Sequence, residues 1–369
     1  MKKKQPLKRR YDVIVVGAGV AGLGAAAALA EEGKKVLVLS KKFRGEASPA
    51  SAGILDPFLE MTPHHPLFKL CRTAFRDYPA FLKKIGGEKK AGYEMTGMLY
   101  VAMDAADEQK LEKRYRWQKK TGIPVKWLSR QSILKRNPDL TPGVRCGLFY
   151  PEIARVQPRQ LLAAWIEYLK KCGVHFVLSP VSPVLKLSKK VQGVRCGKIS
   201  YEAPCVINAM GAWAGLKGFG VRVPVLPARG QILVMKGKLR ISTIVHTLNG
   251  GYVVPWGKGR YLVGSNVEFC GFKPQVTRQG LKDILKRNER VLPRLRGCRR
   301  VDAWAGLRPY SKKRIPWIGQ TSIPGFYLAA GYYRSGILIS ATAGKLLAKA
   351  IISGKMPPLL RAFQPGKFQ

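Results

Sequence analysis

Acidic residues are scarce: 21 Asp and Glu stand against 66 Lys and Arg, a formal net charge of +45. That is far more than solubility requires. The excess is spread along the chain, with small clusters at residues 2–10, 294–300 and 312–314, rather than gathered in one tail. Such a surface attracts nucleic acid, anionic lipid and acidic proteins whatever their sequence. No aromatic and basic pattern of an RNA-binding module accompanies it, so non-specific binding to nucleic acid or an anionic surface is the expectation. Histidine is rarer still: His64, His65, His175 and His246 have no ligand spacing, and no metal is expected. The seven cysteines, at 71, 146, 172, 196, 205, 270 and 298, are odd in number and form no CxxC pair. They argue against a disulfide framework or a zinc site and for a reduced cytoplasm. Long hydrophobic runs are missing too. No stretch reaches the roughly eighteen apolar residues of a membrane span, so no transmembrane segment is expected. The basic start superficially resembles a signal peptide, but the apolar stretch behind it carries Asp12 and three glycines and runs directly into EEGKK. No internal repeat is visible.

What the chain does have is length and a clear opening motif. Its 369 residues, 46% hydrophobic, suffice for one large or two interleaved domains with a substantial core. Residues 11–41 read as strand, glycine-rich turn, helix and strand. The first strand, residues 13–16, is a short β-branched run suited to burial on both faces. Gly17, Gly19 and Gly22 then give GxGxxG. The first glycine permits a tight turn, the second lets backbone N–H groups reach a diphosphate, and the third lets the helix pack on the sheet. Ala18, Val20 and Ala21 complete the turn and open a helix over residues 20–32, whose positive end faces the diphosphate. The second strand, 36–39, leads to Ser40 and Lys41, where an acidic residue usually binds the adenosine ribose. Either Ser40 bonds the ribose more weakly, or the register is shifted, or the lysines favour a 2′-phosphate.

Further along, helices are expected at 66–85, 107–121, 131–135, 158–172, 277–291 and 337–352. Strands are expected at 174–178, 184–187, 199–201 and 327–330, and alternation within 221–267 indicates an antiparallel sheet. Residues 204–214 read as a buried strand running into a small-residue turn suited to packing beside a nucleotide.

Four further segments carry a family resemblance over almost the whole chain. GEASPASAG (residues 45–53), VLPARGQIL (225–233), the hairpin GGYVVPWGKGRYLVGSNVEFCGF (250–272) and AWAGLRPYSKKRIPWIG with GFYLAAGYYRSGILIS (303–340) resemble the FAD-dependent D-amino acid oxidase superfamily. Within it the chain is most similar to the glycine oxidases of bacterial thiamine biosynthesis. It departs from the family at Ser40, at Tyr332 and Ser335, where His and Asn are frequent, and at Lys312 and Lys313, where an acidic residue is common.

The resemblance implies a Rossmann-like FAD-binding domain interleaved with an α+β substrate domain built on an antiparallel sheet. The former takes residues 11–88, 148–220 and 300–360, the latter 89–147 and 221–299, after a basic tail at 1–10. FAD is implied to be non-covalent, since no cysteine lies in residues 308–319. Besides the GxGxxG turn, Ser48, Ala52, Gly53, Val181, Ala209, Gly211, Trp213, Gly331, Tyr333, Gly336 and Ile337 are implied cofactor contacts. Arg308 is expected to clamp a substrate carboxylate by two parallel bonds, as guanidinium does. Tyr252 is expected either to assist it or to be a core tyrosine, and Arg334 to stand at the active-site edge. The implied reaction oxidises a small amino acid or secondary amine (glycine, sarcosine or D-alanine type), with O₂ reduced to H₂O₂. Two other readings stay open. One is FAD-dependent removal of a carboxymethyl group from a modified tRNA wobble uridine, favoured by the charge. The other is a flavoprotein fold kept as a scaffold, or recharged, with impaired FAD binding. A homo-oligomer is compatible with all three.

Overall fold

A computed structural model describes residues 9–58, 62–179, 182–188, 190–216, 218–219 and 221–366. Val181, one of the expected cofactor contacts, lies outside them.

A six-stranded sheet runs in the order His175–Leu178, Val36–Ser40, Val13–Val16, Cys205–Asn208, Phe326–Ala330 and Trp317–Gln320. The first five strands are parallel and the last is antiparallel. Val13–Val16 and Cys205–Asn208 are buried at every position, which is why the sequence shows VIVV and CVI there rather than alternation. Helix Val20–Glu31 joins two of these strands and packs against helix Gly336–Ser353. The two cross at Gly24 and Gly344, where a Cβ on either residue would collide with backbone of the other helix. The small residues of GLGAAAALA are what this close crossing demands, because interiors pack at crystal-like density. Helix Gly336–Ser353 is, by length and composition, apolar enough to cross a membrane. Over half of it is buried, between Val20–Glu31 and Pro66–Lys84 among others.

An eight-stranded sheet runs in the order Arg299–Tyr310, Leu226–Lys236, Arg260–Gly264, Tyr252–Pro255, Ile244–Thr247, Met98–Ala102, Cys146–Tyr150 and Lys126–Ser129. It departs from the expected antiparallel arrangement at one pairing: Ile244–Thr247 and Met98–Ala102 are parallel. These strands are distant in the chain, so no hairpin forces them antiparallel.

The expected domain limits shift at three places. Arg299–Tyr310, expected in the nucleotide domain, lies on the eight-stranded sheet beside Leu226–Lys236. The strand is exposed at its start and buried from Ala305 to Leu307, so no period-two pattern marks it in the sequence. Cys146–Tyr150 crosses the expected boundary at 148 and belongs to the same sheet. Arg9–Arg10, read as tail, pairs in parallel with Ile199–Glu202 in a four-stranded sheet. That sheet also contains Val191–Cys196, a strand not expected because Gln192, Gly193 and Arg195 interrupt its apolar residues. The two large sheets meet along one cleft, lined by residues from both.

Candidate active site

The cleft has a volume of about 830 Å³. One end of it is made of backbone. Strand Val13–Val16 stops at Gly17, whose φ of +116° lies outside the range other residues adopt comfortably, and where a Cβ would collide with the Ala209 carbonyl. Gly17, Ala18, Gly19, Val20 and Ala21 line the cleft. Gly22 does not: it stands behind them, where a Cβ would strike the Gly17 carbonyl, so its role is to let helix and turn touch. Gly19 is the N-cap and offers no side chain, and the first turn holds no acidic residue. The Val20 N–H donates to Ser48 Oγ at 3.2 Å. The helix terminus thus turns its positive end to the cleft and suits an anion such as a diphosphate.

Ser40 closes strand Val36–Ser40 and lines the cleft with Lys41. The Lys41 ammonium sits 3.5 Å from Ser182 Oγ and 5.5 Å from the centre of the Phe43 ring. Glu46 also lines the cleft and accepts the Phe43 N–H at 3.1 Å.

Ser48, in the short helix Ala47–Ala50, and Ala52 and Gly53 just after it also line the cleft. Trp304, which the sequence did not single out, donates its Nε1–H to the Ala50 carbonyl at 2.9 Å and ties this helix to the eight-stranded sheet. Across from it, Ala209, Gly211 and Trp213 line the wall after strand Cys205–Asn208. Buried Asn208 shapes that turn: its amide donates to the Ala214 carbonyl at 2.9 Å and its oxygen accepts the Met210 N–H at 3.2 Å. Trp213 then stacks on Phe43 at 4.4 Å and 14°.

The far end is made of side chains. Arg308 points into it from Arg299–Tyr310, with Nη1 donating to the Asn266 carbonyl and Nη2 to Ser265 Oγ, both at 3.0 Å. These bonds fix the guanidinium plane. The plane lies over Gly230, where a Cβ would collide with it, and the Tyr252 ring lies over Gly264 in the same way. Tyr252 is buried and lines the cleft. Burial pushes its phenol pKa up, against the opposing pull of Arg308 and of a bond to Ser265, so it remains a protonated hydroxyl. Arg334 is exposed at the rim, 5.6 Å over the Tyr333 ring. Tyr333, Gly336 and Ile337 line the cleft. Gly331 does not; it is buried behind them against Trp317, at the point where strand Phe326–Ala330 ends.

Besides Ser265, Asp56 and His246 line the cleft without having been singled out from the sequence. Asp56, just beyond strand Ile54–Leu55, lines the cleft and accepts the Phe58 N–H at 2.8 Å. His246 lines it from Ile244–Thr247 and pairs in register with Tyr252 across the neighbouring strand. That register was the available signal, since a hairpin places partners on one face. Burial lowers the His246 pKa to about 4, and Arg334 and Arg114 add to the effect.

Residues 12–350 match the family described as FAD dependent oxidoreductase. Glycine oxidase of Geobacillus kaustophilus is 28% identical over 357 residues, 94% of each chain. The bifunctional protein ThiO/ThiG of Synechocystis sp. is 28% identical over 368 residues, 97% of this chain and 54% of the relative, so this chain spans about half the length of that protein. Among solved structures, glycine oxidase from Geobacillus kaustophilus gives a TM-score of 0.89 at 26% identity, covering 98% of this chain and 100% of the other. Iminodiacetate oxidase from Chelativorans sp. gives 0.89 at 25% identity, covering 97% and 100%. The family match takes in the glycine turn, both large sheets and most of the last helix, and on that ground the chain belongs to the FAD-dependent oxidoreductases, with FAD as its cofactor.

Proposed function

We propose that this chain oxidises a small amino acid or secondary amine of the glycine, sarcosine or D-alanine type. The observation that carries the reading is the joining, in one cleft, of a diphosphate-ready turn at Gly17–Gly22 with Arg308 and Tyr252 at the opposite end. The residues fit FAD: small side chains and helix N–H groups at the turn, a long wall of small residues from 47 to 53, and Trp213 beside it. Among the described residues no cysteine lines the cleft, which supports non-covalent binding. Bound there, FAD supplies a two-electron acceptor for a hydride.

The chain's own residues bind and orient. Arg308, its plane fixed by Asn266 and Ser265, receives the carboxylate. Tyr252 donates its hydroxyl to the same anion, and the apolar neighbours Met98 and Ile54 exclude water. The substrate loses a hydride from Cα and a proton from nitrogen, leaving an imine that water hydrolyses to an oxo acid and ammonia or a primary amine. Dioxygen takes up the two electrons and two protons as H₂O₂. The test is anaerobic mixing of holoenzyme with glycine, sarcosine, D-alanine and iminodiacetate, followed by peroxide assay in air. Bleaching of the flavin by at least one of them, with peroxide formed on aeration, is the expected result.

The charge of +45 favours a second reading, in which the amine is carried on a nucleic acid. Affinity for tRNA that persists at high salt, together with bleaching by a carboxymethylaminomethyl uridine, would select it over free amino acids; affinity that falls steeply with salt marks phosphate neutralisation alone.

A further inference from the structure

His246 occupies the substrate end of the cleft without a part in the reading above. Its ring is held on two sides. It packs against Tyr252 at 6.0 Å and 30° and against Tyr100 at 4.9 Å and 58°. Tyr100 is capped in turn by the Arg114 guanidinium at 4.9 Å. One nitrogen is committed: Nδ1 lies 2.9 Å from the Thr247 carbonyl oxygen. A carbonyl oxygen only accepts, so Nδ1 carries the hydrogen, and in the neutral ring Nε2 keeps its lone pair. His246 lines the cleft, and Nε2 is the ring nitrogen not used by the bond to Thr247.

The rest of this end is rich in donors. Arg308, Arg334 and the Tyr252 hydroxyl all offer hydrogens, which suits a carboxylate, while Asp56, already engaged by the Phe58 N–H, and His246 are side-chain acceptors for the N–H groups of an amino acid. We propose that His246 is the acceptor for the substrate's amino group, its Nε2 receiving an N–H while Arg308 holds the carboxylate, so that the pair selects α-amino acids over simple carboxylates. This rests on the amine oxidase reading and deepens it. A neutral acceptor matters chemically. A carboxylate in its place would favour the ammonium form, whose nitrogen has no lone pair to stabilise loss of hydride from Cα. An imidazole of low basicity, with a pKa of about 4, orients the amine with less bias toward that unreactive form.

The test uses holoenzyme and two variants. His246→Phe keeps a flat ring between Tyr100 and Tyr252 and removes the acceptor; His246→Gln restores an acceptor oxygen. Flavin content and spectrum are measured first. Then come kcat/KM for whichever of glycine, sarcosine, D-alanine or iminodiacetate bleaches the wild type fastest, and the affinity for acetate read from the flavin difference spectrum. The expected result is a loss of roughly ten- to a hundred-fold in kcat/KM for His246→Phe, substantial recovery in His246→Gln, and acetate affinity unchanged in both. Equal losses for the amino acid and acetate, no loss for either, or loss of flavin in both variants would overturn the proposal. If the wild type itself is bleached by none of the four amines, the oxidase reading fails, and this proposal with it.

Discussion

At its dinucleotide end the cleft presents backbone, and at its far end it presents side chains. The first is built on a single contiguous stretch, Gly17 to Ala21, with a helix behind it. The second is assembled from residues 56, 246, 252, 308 and 334, which come from different strands and loops. A site made of backbone must reserve glycines at fixed spacing and therefore writes a motif into the sequence. A site made of side chains needs only that strand register bring them together, and register leaves little trace. The chemistry divides the same way: the backbone end suits a group every relative binds, and the side-chain end sets which small molecule meets it.

Breaking the backbone end should cost most. Gly22→Val drives a branched side chain into the Gly17 carbonyl. Overpacking there should destabilise the fold by about 3 kcal/mol or more and abolish flavin retention, as thermal unfolding and the flavin-to-protein ratio will report. Arg308→Ala should act on the other end alone. Losing a charge-assisted, two-point contact removes about 2–4 kcal/mol of transition-state binding for an amino acid, with the flavin spectrum intact. A fall in flavin content alongside the kinetic loss would show that the two ends are not separable.

Gly230→Ala sharpens the comparison, because it places a methyl group under the Arg308 guanidinium without touching its charge. A KM for glycine raised about ten-fold, corresponding to roughly 1–2 kcal/mol, is expected, with flavin affinity unchanged.

Ser40→Glu tests the dinucleotide end in the opposite direction. A carboxylate accepts charge-assisted bonds from ribose hydroxyls where serine accepts only neutral ones, so FAD should bind about ten-fold tighter and the apo-protein should melt higher at limiting FAD. Equal or weaker affinity in a fluorescence titration would mean that Ser40, although it lines the cleft, does not face the ribose.

The smallest effect is expected from pH. His246 is neutral in the folded protein down to about pH 4, whereas in the unfolded chain it takes up a proton below its ordinary value of 6.5. Its contribution to stability is therefore complete above about pH 6.5 and is lost as pH falls toward 4. Unfolding midpoints of His246→Phe should depend less on pH across that window than those of the wild type.

The same division explains what the sequence disclosed. The βαβ unit and its glycines follow from local rules, because each needs a given residue at a given place. Arg308 and Tyr252 were found through conspicuous segments, RGQ, GLRP and the hairpin, rather than through any property of an arginine or a tyrosine. His246 and Asp56 stand in no such segment. Strand Arg299–Tyr310, placed within the expected nucleotide domain, was not read as a strand because its burial changes along its length instead of alternating. Gly331, a cofactor contact implied by the resemblance, is not among the residues lining the cleft, and its neighbours are Trp317, Val225 and Ile315.

The claim that this cleft joins FAD at one end to an amino acid carboxylate at the other is tested most directly by anaerobic flavin bleaching, with wild type and Arg308→Ala compared at matched flavin content. The expected result is that glycine, sarcosine, D-alanine or iminodiacetate bleaches the wild type rapidly, while the variant, equally yellow, is bleached by the same compound about a hundred-fold more slowly at subsaturating concentration. Equal rates of bleaching in the two proteins, or no bleaching of the wild type by any of the four, would contradict it.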